Sequence, residues 1–175
     1  MGAAIARTQR WQTAHTLHFT GALFALFGLV GIYAHERMRA GPLGFVGFVL
    51  AFIGTAMFVG TGMITAFIWP MIAVHAPDVV EAGGAIFQGP VSVFAFLLTA
   101  VTASVGYFVF GIATLRAGVF PRTVTVMLML GALLGMLPPH PVGWLPWVWL
   151  VLGTVLYGVA LVWFGSILWT ENKEE

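Results

Sequence analysis

Five histidines are the side chains in this chain best suited to hold a group or pass a proton. A neutral imidazole ligates haem iron, chlorophyll magnesium or zinc. They stand at positions 15, 18, 35, 75 and 140. His18 opens a first apolar stretch, His75 closes a second, and His140 lies between the last two. If those stretches run antiparallel, His18, His75 and His140 gather at one end as a candidate cofactor-binding set for haem, a chlorophyll-type pigment or quinone. Against that, a histidine at a membrane face needs no ligand. A di-haem bundle would also want histidines deep in several helices, and the last three apolar stretches contain none.

Other chemistry is sparse. Asp78 and Glu81 are three residues apart in a connection that reads as a solvated loop. The chain has no cysteine, which removes disulfides, thiolate metal sites and thiol catalysis. Neither paired carboxylates nor a Ser-His-Asp set falls at workable positions, so the expectation is a non-enzymatic protein with no metal site. Apart from Arg122 at the start of the fourth apolar stretch, the stretches contain no Asp, Glu, Lys or Arg. Ionisable groups at depth mark ion pathways and counter-ions, and their absence disfavours an ion-coupled pump.

The elements that must position these residues are apolar and long. Gly41 to Val74 runs without one charged residue or histidine. About 20 such residues suffice to cross the hydrocarbon of a bilayer. Of the 175 residues 60% are hydrophobic and 7% charged, and the mean hydropathy is +0.99. A soluble domain of that make-up would expose an aggregating surface. The pattern predicts an all-α integral membrane protein: one domain over 1–175, a bundle of about five transmembrane helices after a short N-terminal interfacial segment around residues 3–13. The spans are expected at about 17–34, 43–68, 90–115, 121–137 and 144–169. His35 to Arg39 reads as a short polar connection restarted by Gly41-Pro42, and Pro70 should redirect the chain after the second span.

Small residues recur at helical spacing on these spans. Gly21, Ala25 and Gly28 make a thin face on the first, and Gly47, Ala51 and Gly54 make one on the second. The third carries Gln88, Ser92, Ala95, Thr99, Thr102 and Gly106 as an expected inner stripe, and the fourth pairs Gly131 with Gly135. In lipid, such faces let helices approach closely where no hydrophobic force drives them together. Trp144, Trp147 and Trp149 at one end of the fifth span, with Trp163 and Trp169 at the other, read as interfacial belts.

The run from Phe110 to Arg122, followed by a span carrying Gly131-Ala-Leu-Leu-Gly135, resembles small multi-pass bacterial membrane proteins of no assigned activity. That resemblance implies a bacterial plasma-membrane protein and carries no site residue across. Five spans put two basic residues on the N-terminal side against five on the other. The positive-inside rule then expects an external N-terminus and a cytoplasmic C-terminus. With a net charge of +1 and no basic cluster, nucleic acid is not an expected partner. The expected partners are the lipid bilayer and other membrane subunits, or a second copy of the chain. Three readings follow: an accessory or scaffold subunit or a self-assembling bundle is first, a cofactor carrier second, and a lipid or small-solute transporter using the polar stripe of the third span last. An absorption spectrum of gently extracted protein separates the second from the first.

Overall fold

The computed structural model describes residues 2–81, 89–136 and 145–171, and among them it is helical, with no strand. Helix α1 covers Gly2–Ala6, α2 Gln9–Met63, α3 Trp69–His75, α4 Pro77–Glu81, α5 Pro90–Ala117, α6 Arg122–Met136 and α7 Leu145–Glu171. A π-helical segment, Ile64–Ile68, joins α2 to α3 without a break. Among the described residues three helices are long and apolar enough to cross a membrane: the continuous Gln9–His75 stretch, Pro90–Ala117 and Val148–Thr170. Arg122–Met136 is apolar but shorter.

The first of these is 67 residues, about 100 Å if straight. It is not straight. Gly41 sits at φ 62°, ψ −162°, a conformation outside the helix and open to glycine because it lacks Cβ. Pro42 follows, and its fixed φ suits the first turn of a renewed helix. The chain doubles back there, and Tyr33 stacks on Phe48 with ring centroids 4.3 Å apart.

By its contacts the chain divides into two compact units, one of residues 1–24 and 55–99, the other of residues 25–54 and 100–175. In the first unit, α1 packs its Ala3 and Ala6 with Ala73 of α3 and Val80 of α4, walled by Trp11, Trp69 and Ile72. Thr8 joins α1 to α2: its hydroxyl donates to the Ile5 carbonyl at 2.7 Å and accepts from the Trp11 N–H at 3.2 Å. That N-cap starts α2 at Gln9, well before the expected onset near Leu17. Gly62 fits against His18 and Phe19.

In the second unit, the returning arm of α2 lies antiparallel to α5 with almost no space between them. A Cβ at Gly47 would meet the Phe110 backbone, one at Gly54 the Ala103 backbone, and one at Gly106 the Ala51 backbone. Gly131 and Gly135 of α6 similarly meet the α7 backbone at Tyr157 and Thr154. Around these contacts Leu29, Ile32, Tyr107, Phe110, Phe120, Val124, Leu128 and Phe164 form the core.

Three expectations need correction. The chain does not leave the helix at Pro70: it passes through the π segment and the helix continues to His75. The inner stripe of α5 is rotated from the one expected. Ala95 is exposed and Ser92 and Thr102 half-buried, while Thr99, Ala103, Gly106, Tyr107, Phe110 and Thr114 are buried. The bulky Tyr107 and Phe110 fill the core, so the polarity of the stripe alone misjudged its centre. Lastly, Glu36 is no part of a polar connection. It continues the buried line Ala25, Leu29, Ile32, Glu36, Ala40 on α2, whose steps of four and three are helical.

Candidate functional site

Among the described residues His15, His18 and His75 each have a different ring or carbonyl neighbour. His18 lies edge-on to Phe58, with centroids 6.4 Å apart, and is backed by Gly62. The Nδ1 of His75 is 2.9 Å from the Met71 carbonyl oxygen of its own helix. His15 stacks on Trp11 at 4.0 Å. His140, like Gln88, Trp144 and the acidic tail, lies outside the described residues. Among the described residues no three of His, Asp or Glu gather as a metal-holding group. Glu81 Oε1 accepts the Ala3 N–H at 3.0 Å, tying α4 to α1.

The N-terminal segment instead answers two prolines. In the π segment the Trp69 N–H bonds the Ile64 carbonyl, so in that register the Thr65 carbonyl faces residue 70. Pro70 has no N–H to give it. The Trp11 indole Nε1–H donates to the Thr65 oxygen at 3.0 Å instead. Eight residues on, the α-helical partner of the Ala73 carbonyl would be residue 77, and Pro77 again has no N–H. The Arg7 guanidinium fills that place, donating to the Ala73 oxygen from Nε at 2.7 Å and also from Nη2. A buried carbonyl without a donor is costly, so residues 7 and 11 are held by what the prolines left open.

The second unit holds two polar pairs that no span pattern announced. The Thr114 hydroxyl reaches Glu36 Oε1 at 2.7 Å. The Tyr157 hydroxyl donates to that of the buried Tyr107 at 2.5 Å, their rings edge to face. The signal for Glu36 was its helical register with Leu29 and Ile32. For Tyr107 no sequence signal separates a core tyrosine from an interfacial one.

The expected packing residues fall into two groups. Gly47, Gly54, Gly106, Gly131 and Gly135 lie against neighbouring backbone, and Ala25 and Thr99 are buried. The Thr99 hydroxyl donates to the Ala95 carbonyl of its own helix at 2.8 Å. Gly21 is exposed with nothing within 4 Å of a built Cβ, and Gly28 touches only Leu161 at 3.7 Å. A groove of about 230 Å³ opens beside it, lined by Gly28, Gly31, Gly165, Phe27, Leu161 and Leu168 among others. Gly158 and Gly165 of α7 likewise have no atom within 4 Å of a built Cβ.

No protein-family model, curated protein or solved structure matches the chain. Its class is therefore the coarse one the fold defines, an all-helical protein with helices able to cross a membrane.

Proposed function

We propose that this chain is a non-enzymatic multi-pass membrane protein, an accessory or scaffold subunit that joins other membrane subunits or its own copies. The reversal at Gly41 supports reading Gln9–His75 as two crossings, for about five in all. The proposed setting is a bacterial plasma membrane with the N-terminus outside.

The observation that carries the proposal is the thin, open side of α7. Gly158 and Gly165 are seven residues apart, on one face, with open space over both. Beside Gly165 the groove is apolar and glycine-walled. The exposed Val151, Val155, Val159 and Val162 surround that side with bulky residues, so the thin positions are local. In lipid, small residues on a helix surface serve close approach by another helix.

The test uses that open space. Gly158→Leu and Gly165→Leu place a side chain where the described residues leave open space, so each variant should stay folded. Each should also lose the larger species seen when wild-type protein is extracted gently and weighed by native mass spectrometry. A wild-type protein that emerges as a strict monomer with no companion would overturn the proposal.

A further inference from the structure

We infer that Glu36 is a proton-binding site: a glutamic acid kept neutral inside the second unit, its proton directed at the Thr114 hydroxyl. Glu36 is 1% exposed and Thr114 0%. Their oxygens are 2.7 Å apart, and the Thr114 hydroxyl is also 3.0 Å from the Phe110 carbonyl oxygen one turn back on α5.

Counting protons decides between the two states. A threonine hydroxyl has one proton to donate and can also accept. With an ionised Glu36, that proton must choose between the carboxylate and the Phe110 carbonyl, and one of the two short contacts is left without a hydrogen. With a protonated Glu36 the contacts form a relay, in which the acid donates to Thr114 Oγ1 and Thr114 donates to Phe110. The second carboxyl oxygen, Oε2, is buried and has no hydrogen-bond partner. A neutral acid can leave a carbonyl oxygen in that position at modest cost. For a carboxylate the cost of unpaired burial is large enough that the group takes up a proton instead.

Among the described residues no charged side chain is seen to pair with this carboxyl. On α2 the neighbouring titratable groups are Tyr33, stacked on Phe48, His35, whose ring centroid is 5.3 Å from that of Phe120, and the exposed Arg37 and Arg39. From α5 the nearest in sequence to Thr114 is Arg116, and α6 begins with Arg122, both exposed. From α7 it is Leu168 that reaches this level, against Gly31. Opening the α2–α5 contact here would release the proton to water, and closing it would take one up.

Infrared difference spectroscopy on protein reconstituted in lipid tests this. Wild type minus Glu36→Gln should show one protonated-carboxyl C=O band at neutral pH. Thr114→Val should move that band to higher frequency, since the acid loses its acceptor, and Thr114→Ser should restore it. Only ionised-carboxylate bands at neutral pH would overturn the inference, as would a band indifferent to Thr114→Val. Should Glu36→Gln fail to fold, wild type titrated alone answers the question. A protonated-acid band surviving well above the range of exposed carboxyls supports the site, and its disappearance with the exposed carboxyls overturns it.

Linkage supplies a second reading. The native state holds a proton that the unfolded chain gives up once its glutamate ionises, so wild-type stability should fall as pH rises above that range. Glu36→Gln should remove this fall, and parallel pH profiles for the two proteins would count against the site.

Discussion

Gly106→Ala is expected to destabilise the protein by about 3 kcal/mol or more, at or beyond the upper end for inserting one carbon into a packed core. A Cβ there meets the backbone nitrogen and Cα of Ala51 and the carbonyl carbon of Leu50. Backbone in a hydrogen-bonded helix cannot turn aside as a flexible side chain can, so the two helices must separate along their length. Gly47→Ala and Gly54→Ala press on the same antiparallel contact, at Phe110 and Ala103, and should behave alike. Gly60→Ala is the control. It lies on the same arm of α2 with nothing within 4 Å, and alanine favours a helix over glycine by about 0.5–1 kcal/mol. Thermal unfolding of all four variants in one detergent checks this. Equal midpoints for Gly106→Ala and Gly60→Ala would show that the glycine contact does not hold these helices together.

Trp11→Phe should cost about 1–3 kcal/mol, the price of a buried acceptor left without a donor, and the cost should depend on Pro70. Phenylalanine keeps an aromatic ring there, smaller than indole, while the indole N–H that serves the Thr65 carbonyl is lost. Pro70→Ala restores an N–H at the position the π register points to. In that background Trp11→Phe should lose most of its effect, a coupling measured directly by the double-mutant cycle. The same reasoning pairs Arg7→Met with Pro77→Ala through the Ala73 carbonyl. Additive losses in the first cycle would mean that Trp11 stabilises by packing alone. These two cycles also separate an N-terminal segment clipped to α3 from one that merely rests at an interface.

A sequence is legible where the physics is local. The lack of charge from Gly41 to Val74 was enough to announce a helix able to cross a membrane, because lipid penalises charge without regard to tertiary detail. The Gly41-Pro42 reversal was readable for a similar reason, since backbone sterics are local. The thin faces at Gly47, Gly54, Gly131 and Gly135 were visible as spacing. Their partners were not, because spacing on one helix says nothing about which helix approaches it.

What remained hidden depends on which groups are brought together. The sequence shows Pro70 and Pro77 removing two N–H groups, but the donors that answer them, Trp11 and Arg7, are over fifty residues away. The histidines looked like a set by their position along the spans, yet the described His18 and His75 turn to different neighbours once the helices pack. Glu36 sits between His35 and Arg37 and reads as one charge in a solvated turn. Tertiary packing extends α2 past it and sets Thr114 opposite, and only that burial makes a single proton matter. Local chemistry settles what each residue can tolerate. The pairing of distant helices settles what each residue must satisfy, because a buried polar group takes its partner from whatever the fold places within hydrogen-bonding reach.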